Sequence, residues 1–101
     1  MTAPKSQARA KAVPREMISN DRVKVTEWRF SPGAETGWHR HAYDYVVVPM
    51  VTGRLLLEEK GGNRHAQLRS GEPYFREVGV EHNVVNDNPG EFVFIEIELK
   101  P

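Results

Sequence analysis

The sequence predicts an all-β domain of the sandwich or barrel type. Three observations lead there. Short runs rich in β-branched and aromatic residues follow one another from about residue 22 onward. Turn signals at Pro32-Gly33, Thr52-Gly53, Gly61-Gly62-Asn63, Gly71, Gly79 and Asn88-Pro89-Gly90 separate them, mostly at intervals of 8 to 10 residues. No helical periodicity of 10 or more residues is legible after residue 22. Many short strands at such spacing suit two packed sheets or a closed barrel.

The elements can be taken in order. Residues 1–18 are rich in Ala, Lys and Arg, carry Pro4 and Pro14, and read as a flexible basic arm. The barrel is expected over 19–101. "RVKVTEWRFS" alternates, with Val23 and Val25 on one face. "YDYVVVPM" is a dense β-former run. "GRLLLEEK" and "RHAQLR" flank Gly61-Gly62 and read as a hairpin. "EPYFRE" and "EHNVVND" are short strands, the second following Gly79. "EFVFIEIEL" closes the chain, with a slip in its alternation at Phe94-Ile95 that suggests a bulge or cover on both faces. Glu96 and Glu98 share one face, expected to be the solvent side.

Composition narrows the function classes. The 101 residues suit one domain with a modest core. Formal net charge is zero, so a nucleic-acid scaffold is not expected. There is no cysteine, which excludes disulfides, thiolate chemistry and zinc-thiolate sites and fits a cytoplasmic protein. No apolar run reaches the length of a membrane span, and "MTAPKSQARAKAVPREM" does not read as a secretory signal.

The chemistry-bearing feature is "PGAETGWHRHAYDY". His39 and His41 stand two apart, so an extended segment turns both imidazoles to one face. His82, in "GVEHNVVN", is the candidate third ligand from another strand. Three imidazoles suit one divalent transition metal (Fe, Ni, Zn, Mn, Cu or Co) without choosing among them. His65, in the polar hairpin, is expected on the surface.

The spacing of both segments resembles the cupin family. Its first motif is a glycine, five residues, His-x-His, three or four residues, Glu, six residues and a glycine; Gly33, His39, His41 and Gly53 fall in register. Its second is a glycine, five residues, Pro-x-Gly, two residues, His, three residues and Asn; Gly71, Gly79, His82 and Asn86 fall in register. The resemblance covers residues 33–86 and implies a double-stranded β-helix, or jelly-roll, barrel with metal on His39, His41 and His82. Two positions depart from the pattern. Glu77 replaces the proline of motif two, and the motif-one glutamate is absent, its place falling on Tyr45 or Val46.

Asp44 is the nearest carboxylate, but strand alternation turns it from the histidine face unless a bulge intervenes. Tyr43 and Tyr45 share that face, whereas Trp38 and Arg40 point away. Tyr45 and Glu77 are the candidate catalytic groups, Asn86 a structural backbone binder, and Arg76 an exposed cation within reach of an anion. The resemblance implies a small-molecule ligand or substrate in the barrel mouth. Dioxygenase chemistry is one option and metal-assisted isomerase or lyase chemistry another. A non-catalytic binding module and a structural barrel stay open as alternatives. A homodimer is expected, through the outer positions around Val46 and Val48 or through the arm.

Overall fold

A computed structural model describes residues 8–101. Nine strands form: β1 Val13–Ser19, β2 Val23–Phe30, β3 His39–Arg40, β4 Asp44–Pro49, β5 Gly53–Glu59, β6 Gly62–Leu68, β7 Tyr74–Arg76, β8 Glu81–Asn86 and β9 Phe92–Leu99. They build one five-stranded sheet, ordered β1-β2-β9-β4-β7, and one four-stranded sheet, ordered β3-β8-β5-β6. All strand pairs are antiparallel. The result is the all-β double-stranded β-helix that the motif spacing implies. Among the described residues no helix is long and apolar enough to cross a membrane.

The core lies between the sheets. Phe30, Tyr45, Val47, Phe92 and Phe94 from the larger sheet meet Leu55, Leu57 and Val84 from the smaller one. β4 alternates strictly, so every second residue is withdrawn from water, whereas β8 is buried on both faces. The expected β5–β6 hairpin is present, closed between Glu59 and Gly62.

Two expectations need correction. The arm over 1–18 is not an arm in its described part: residues 13–19 form β1, paired along β2 from Val13↔Arg29 to Ser19↔Lys24. All seven β1 residues are exposed, so the strand carries no alternation for a sequence reading to catch. Pro14 is tolerated because β1 is an edge. Residues 1–7 lie outside the described residues. β2 buries Thr26 and Phe30, packs Trp28 against the core and keeps Val23 and Val25 half-buried. Second, β9 carries no bulge. Its register with β2 and β4 runs unbroken through Phe94-Ile95. Its inward face is Phe92, Phe94 and Glu96, and the Glu96 residue is only 8% exposed. The expectation that Glu96 faces solvent is therefore overturned.

The outward face of the larger sheet is apolar along one cross-strand row. Ile18, Val25, Ile97, Val46 and Phe75 are successive neighbours across all five strands. Ile18 and Phe75, at its ends, are well exposed.

Two side-chain constraints fix the loops. Asn86 is buried, and its Nδ2 donates to the carbonyls of Phe30, Ser31 and Gly90 at 3.2, 3.1 and 2.9 Å. Its Oδ1 accepts from the Asn88 backbone and side chain at 3.1 and 2.7 Å. Gly53 passes so near this cluster that a Cβ there would stand 2.6 Å from Asn88 Oδ1. Replacing Asn86 with Ala strips three carbonyls of their donor. Urea denaturation is expected to show a loss of about 3 kcal/mol, and a loss below about 1 kcal/mol would deny the side chain its structural role.

Candidate metal centre

β3 is only two residues long, and its pairing with β8 sets His39 directly across from His82. His41 follows β3 and is held by backbone bonds on both sides. Its N–H donates to the Val80 carbonyl at 2.9 Å, and its carbonyl accepts the Gly79 N–H at 2.9 Å. Gly79 makes this turn at φ 98°, a left-handed conformation that side chains disfavour. The three rings converge edge-on. His41 Nε2 lies 3.0 Å from His39 Nε2 and 3.2 Å from His82 Nε2.

Those separations test the fit to an ion. Two nitrogens about 2.1 Å from a common ion, at about 90–100° to one another, stand about 3.0–3.2 Å apart. The donor set fits a divalent transition metal by spacing and by chemistry. Burial, then the charges of the neighbouring histidines and Arg76, holds His41 down to about 3. Burial, His39 and Arg76 hold His82 down to about 4. Both rings are therefore neutral at pH 7 and offer lone pairs without competition from protons.

Each ring meets a different environment behind its Nε2. His39 Nδ1 lies 2.8 Å from the Gly37 carbonyl, which can only accept, so this nitrogen carries the proton. Asn83 supports that loop: its Oδ1 accepts the Gly37 N–H at 2.9 Å. Its Nδ2 donates to Glu35 and Glu58, both at 2.8 Å. Arg9 caps the two carboxylates from outside, at 3.2 Å to Glu35 and 3.0 Å to Glu58. His82 Nδ1 is buried without a partner among the described residues. His41 Nδ1 faces Glu96 Oε2 at 4.0 Å.

Tyr45 occupies the place of the absent motif-one acid. It stacks on His41, with ring centroids 3.8 Å apart and planes 15° from parallel. Its buried hydroxyl has no partner among the described residues, and burial pushes it well above the ordinary phenol range. A cavity of about 270 Å³ opens beside His39 and His41, walled by Trp28, Thr36, Phe94 and Glu96. A larger open cavity of about 690 Å³ lies between β5, β6 and β7 and touches none of the three histidines.

The other candidates are dispersed. Glu77 is exposed after β7 and lines neither histidine cavity. Asp44 is committed elsewhere, its Oδ1 accepting the Val78 N–H at 2.8 Å. Tyr43 borders a separate surface cavity with Asp44 and Leu99. His65 is on the surface beside Asp87, and Trp38 is exposed. Arg40 is exposed, with its guanidinium against Gly79. Arg76 lines a small inner cavity with Tyr45 and His82.

Sequence reading missed Glu96. It is buried on β9, accepts a 3.4 Å bond from Trp28 Nε1, and is pushed up to about 7 by burial and by Glu98. The signal was the regular alternation of Phe92, Phe94 and Glu96, which the apolar neighbours Ile95 and Ile97 obscured.

These shifts predict a pH profile for the metal-free protein. His41 and His82 bind fewer protons folded than unfolded between their lowered values, about 3 and about 4, and the ordinary 6.5. Their contribution to stability therefore rises with pH across that window. Glu96 opposes it from 4.5 to about 7, because its folded form holds the proton longer. Two groups outweigh one, so these three together give denaturation midpoints that climb from about pH 4 to 6.5. A flat or falling midpoint would contradict the burial of the histidines.

Comparison with known proteins agrees with the architecture. The cupin-domain family profile matches residues 26–98. The β-alanine degradation protein BauB of Pseudomonas aeruginosa is 59% identical over 92 residues, covering 91% of this chain and 97% of that protein. A crystal structure of a cupin domain from Bordetella pertussis superposes with a TM-score of 0.92 at 61% identity, covering 93% of this chain and 98% of that one. A double-stranded β-helix protein from Klebsiella pneumoniae shares the fold at a TM-score of 0.74 and 19% identity, covering 93% and 80%. The matched region runs from β2 to β9 and holds all three converging histidines, and on these grounds the chain belongs to the cupin superfamily as a small single-domain member.

Proposed function

We propose that this protein is a metal-dependent enzyme that holds one divalent transition-metal ion on His39, His41 and His82 and acts on a small organic molecule in the adjoining cavity. The observation that carries the reading is the convergence of three Nε2 atoms at 3.0 and 3.2 Å. When bound, such an ion supplies Lewis-acid or redox chemistry, the latter suiting a dioxygenase. The chain's own residues do the rest. Trp28 and Phe94 wall the cavity with apolar surface and keep water from the reacting face. Thr36 offers a polar group at the cavity wall that can orient a small acid. Tyr45 packs the face of His41 and holds that ring in place. Glu77, exposed away from the cavity, has no part in this reading.

The Pseudomonas relative is named for β-alanine degradation. Its 59% identity supports extending that role here, with β-alanine or a small acid formed from it as the substrate class. Elemental analysis of the purified protein tests the reading. About one ion per chain is expected in the parent and little in His39→Ala or His82→Ala, with turnover of such acids lost in parallel. A parent that takes up no iron, nickel, zinc, manganese, copper or cobalt after anaerobic reconstitution would refute the metalloenzyme. Stoichiometric metal without turnover would favour a binding module.

The homodimer is part of the proposal. It is supported by the uncharged row Ile18, Val25, Ile97, Val46 and Phe75, a self-complementary face for a two-fold contact. Light scattering is expected to give twice the chain mass for the parent and the single mass for Val46→Lys. A monomeric parent would remove the dimer from the proposal.

A further inference from the structure

Glu96 has no packing reason to be where it is. It sits on the inward face of β9, beyond Phe94, and is 8% exposed. Burying a carboxylate is costly unless something nearby uses it. Its one side-chain hydrogen bond, from Trp28 Nε1, is long at 3.4 Å.

His41 is the group placed to use it. His39 settles its own proton on Nδ1 through the Gly37 carbonyl, which leaves its Nε2 as a lone pair. His41 Nε2 is 3.0 Å from that lone pair, so in the metal-free protein a proton on His41 Nε2 joins the two rings. An ion at the three nitrogens needs that position for itself. The neutral His41 ring must then carry its proton on Nδ1, the edge that faces Glu96 Oε2. At 4.0 Å the present gap is electrostatic rather than a hydrogen bond. The two nitrogens of an imidazole point in divergent directions, so a carboxylate on the Nδ1 edge serves the ring and not the ion.

We propose that Glu96 is a positioning residue of the metal centre, accepting the His41 Nδ1 proton in a hydrogen bond when Nε2 gives its lone pair to the ion. The inference rests on the three-histidine reading above. Strand register makes the placement firm. β9 lies beside β4 with Glu96 opposite Val47 and Glu98 opposite Tyr45. Tyr45 therefore covers the face of the His41 ring while Glu96 meets its edge. Carboxylates that hold the far nitrogen of a ligating histidine raise its basicity and fix its orientation.

The test uses zinc alone as the probe and the full chain as the protein. Chelator competition is expected to show zinc bound about 10- to 100-fold more weakly by Glu96→Gln than by the parent. The metal-free variant should melt no lower than the parent, since it loses a buried carboxylate. Long-range 1H–15N correlation on the zinc-loaded parent should find the His41 proton on Nδ1, shifted downfield by its acceptor. That measurement decides the matter even if the variant fails to fold. Affinity within about threefold of the parent, or a His41 Nδ1 proton in the loaded protein at the shift of one without an acceptor, would overturn the role of Glu96 alone. A parent that binds no zinc would overturn the three-histidine reading and this inference with it.

Discussion

The site depends on one short pairing, β3 against β8. Two residues of ladder place His39 opposite His82. The backbone bonds of His41 to Val80 and Gly79 then bring the third ring alongside. Three imidazoles drawn to one spot, two of them buried, oppose folding by their desolvation. The three Nε2 edges turned to one point make a centre with the capacity for one divalent ion. Much of the surrounding structure follows from holding the rings at that distance. Gly79 turns left-handed to deliver β8, and Asn86 fastens the loops at its far end.

The acid expected after His41 is absent from β4, where Tyr45 stands, but the site is not without carboxylates. The neighbouring strand carries them at the same level. Glu98 lies directly opposite Tyr45, and Glu96 lies opposite Val47. Adjacent strands are about 4.8 Å apart, so a group moved by one strand keeps its height in the barrel and approaches the same imidazole from another side. Tyr45 gains the ring face that a ligand would have left uncovered, and its stacking at 3.8 Å excludes a direct acid from β4.

Much of this was legible in the sequence. Glycine and histidine spacing fixed the barrel, because the turns at Gly33, Gly53, Gly71 and Gly79 set strand length, and strand length sets which histidines meet. The β5–β6 hairpin was legible for the same reason. What escaped were the features without a local signature. β1 is exposed on both faces, so neither alternation nor burial marks it, and its pairing with β2 is a tertiary fact. On β9 both faces hold apolar residues, since Ile95 and Ile97 line the outer row while Phe92 and Phe94 fill the core. Charge was then read as the mark of the wet face. Only the unbroken register with β2 and β4 shows that Glu96 continues the inward set.

The segment before β1 also belongs to the site, by a route that composition concealed. Arg9 holds Glu35 and Glu58, which would otherwise repel each other across Asn83. Asn83 donates to both acids beside that cation, and with its oxygen it fixes the Gly37 N–H. Gly37 in turn accepts the His39 proton and so chooses the nitrogen that faces the centre. Each link is an ordinary hydrogen bond, and the outer ones are partly exposed and individually weak. Their effect comes from being connected, since the carbonyl that takes the His39 proton belongs to the residue whose N–H Asn83 holds. A basic residue in a stretch that reads as a solvated arm is thereby coupled to the orientation of a ligand ring more than one strand away.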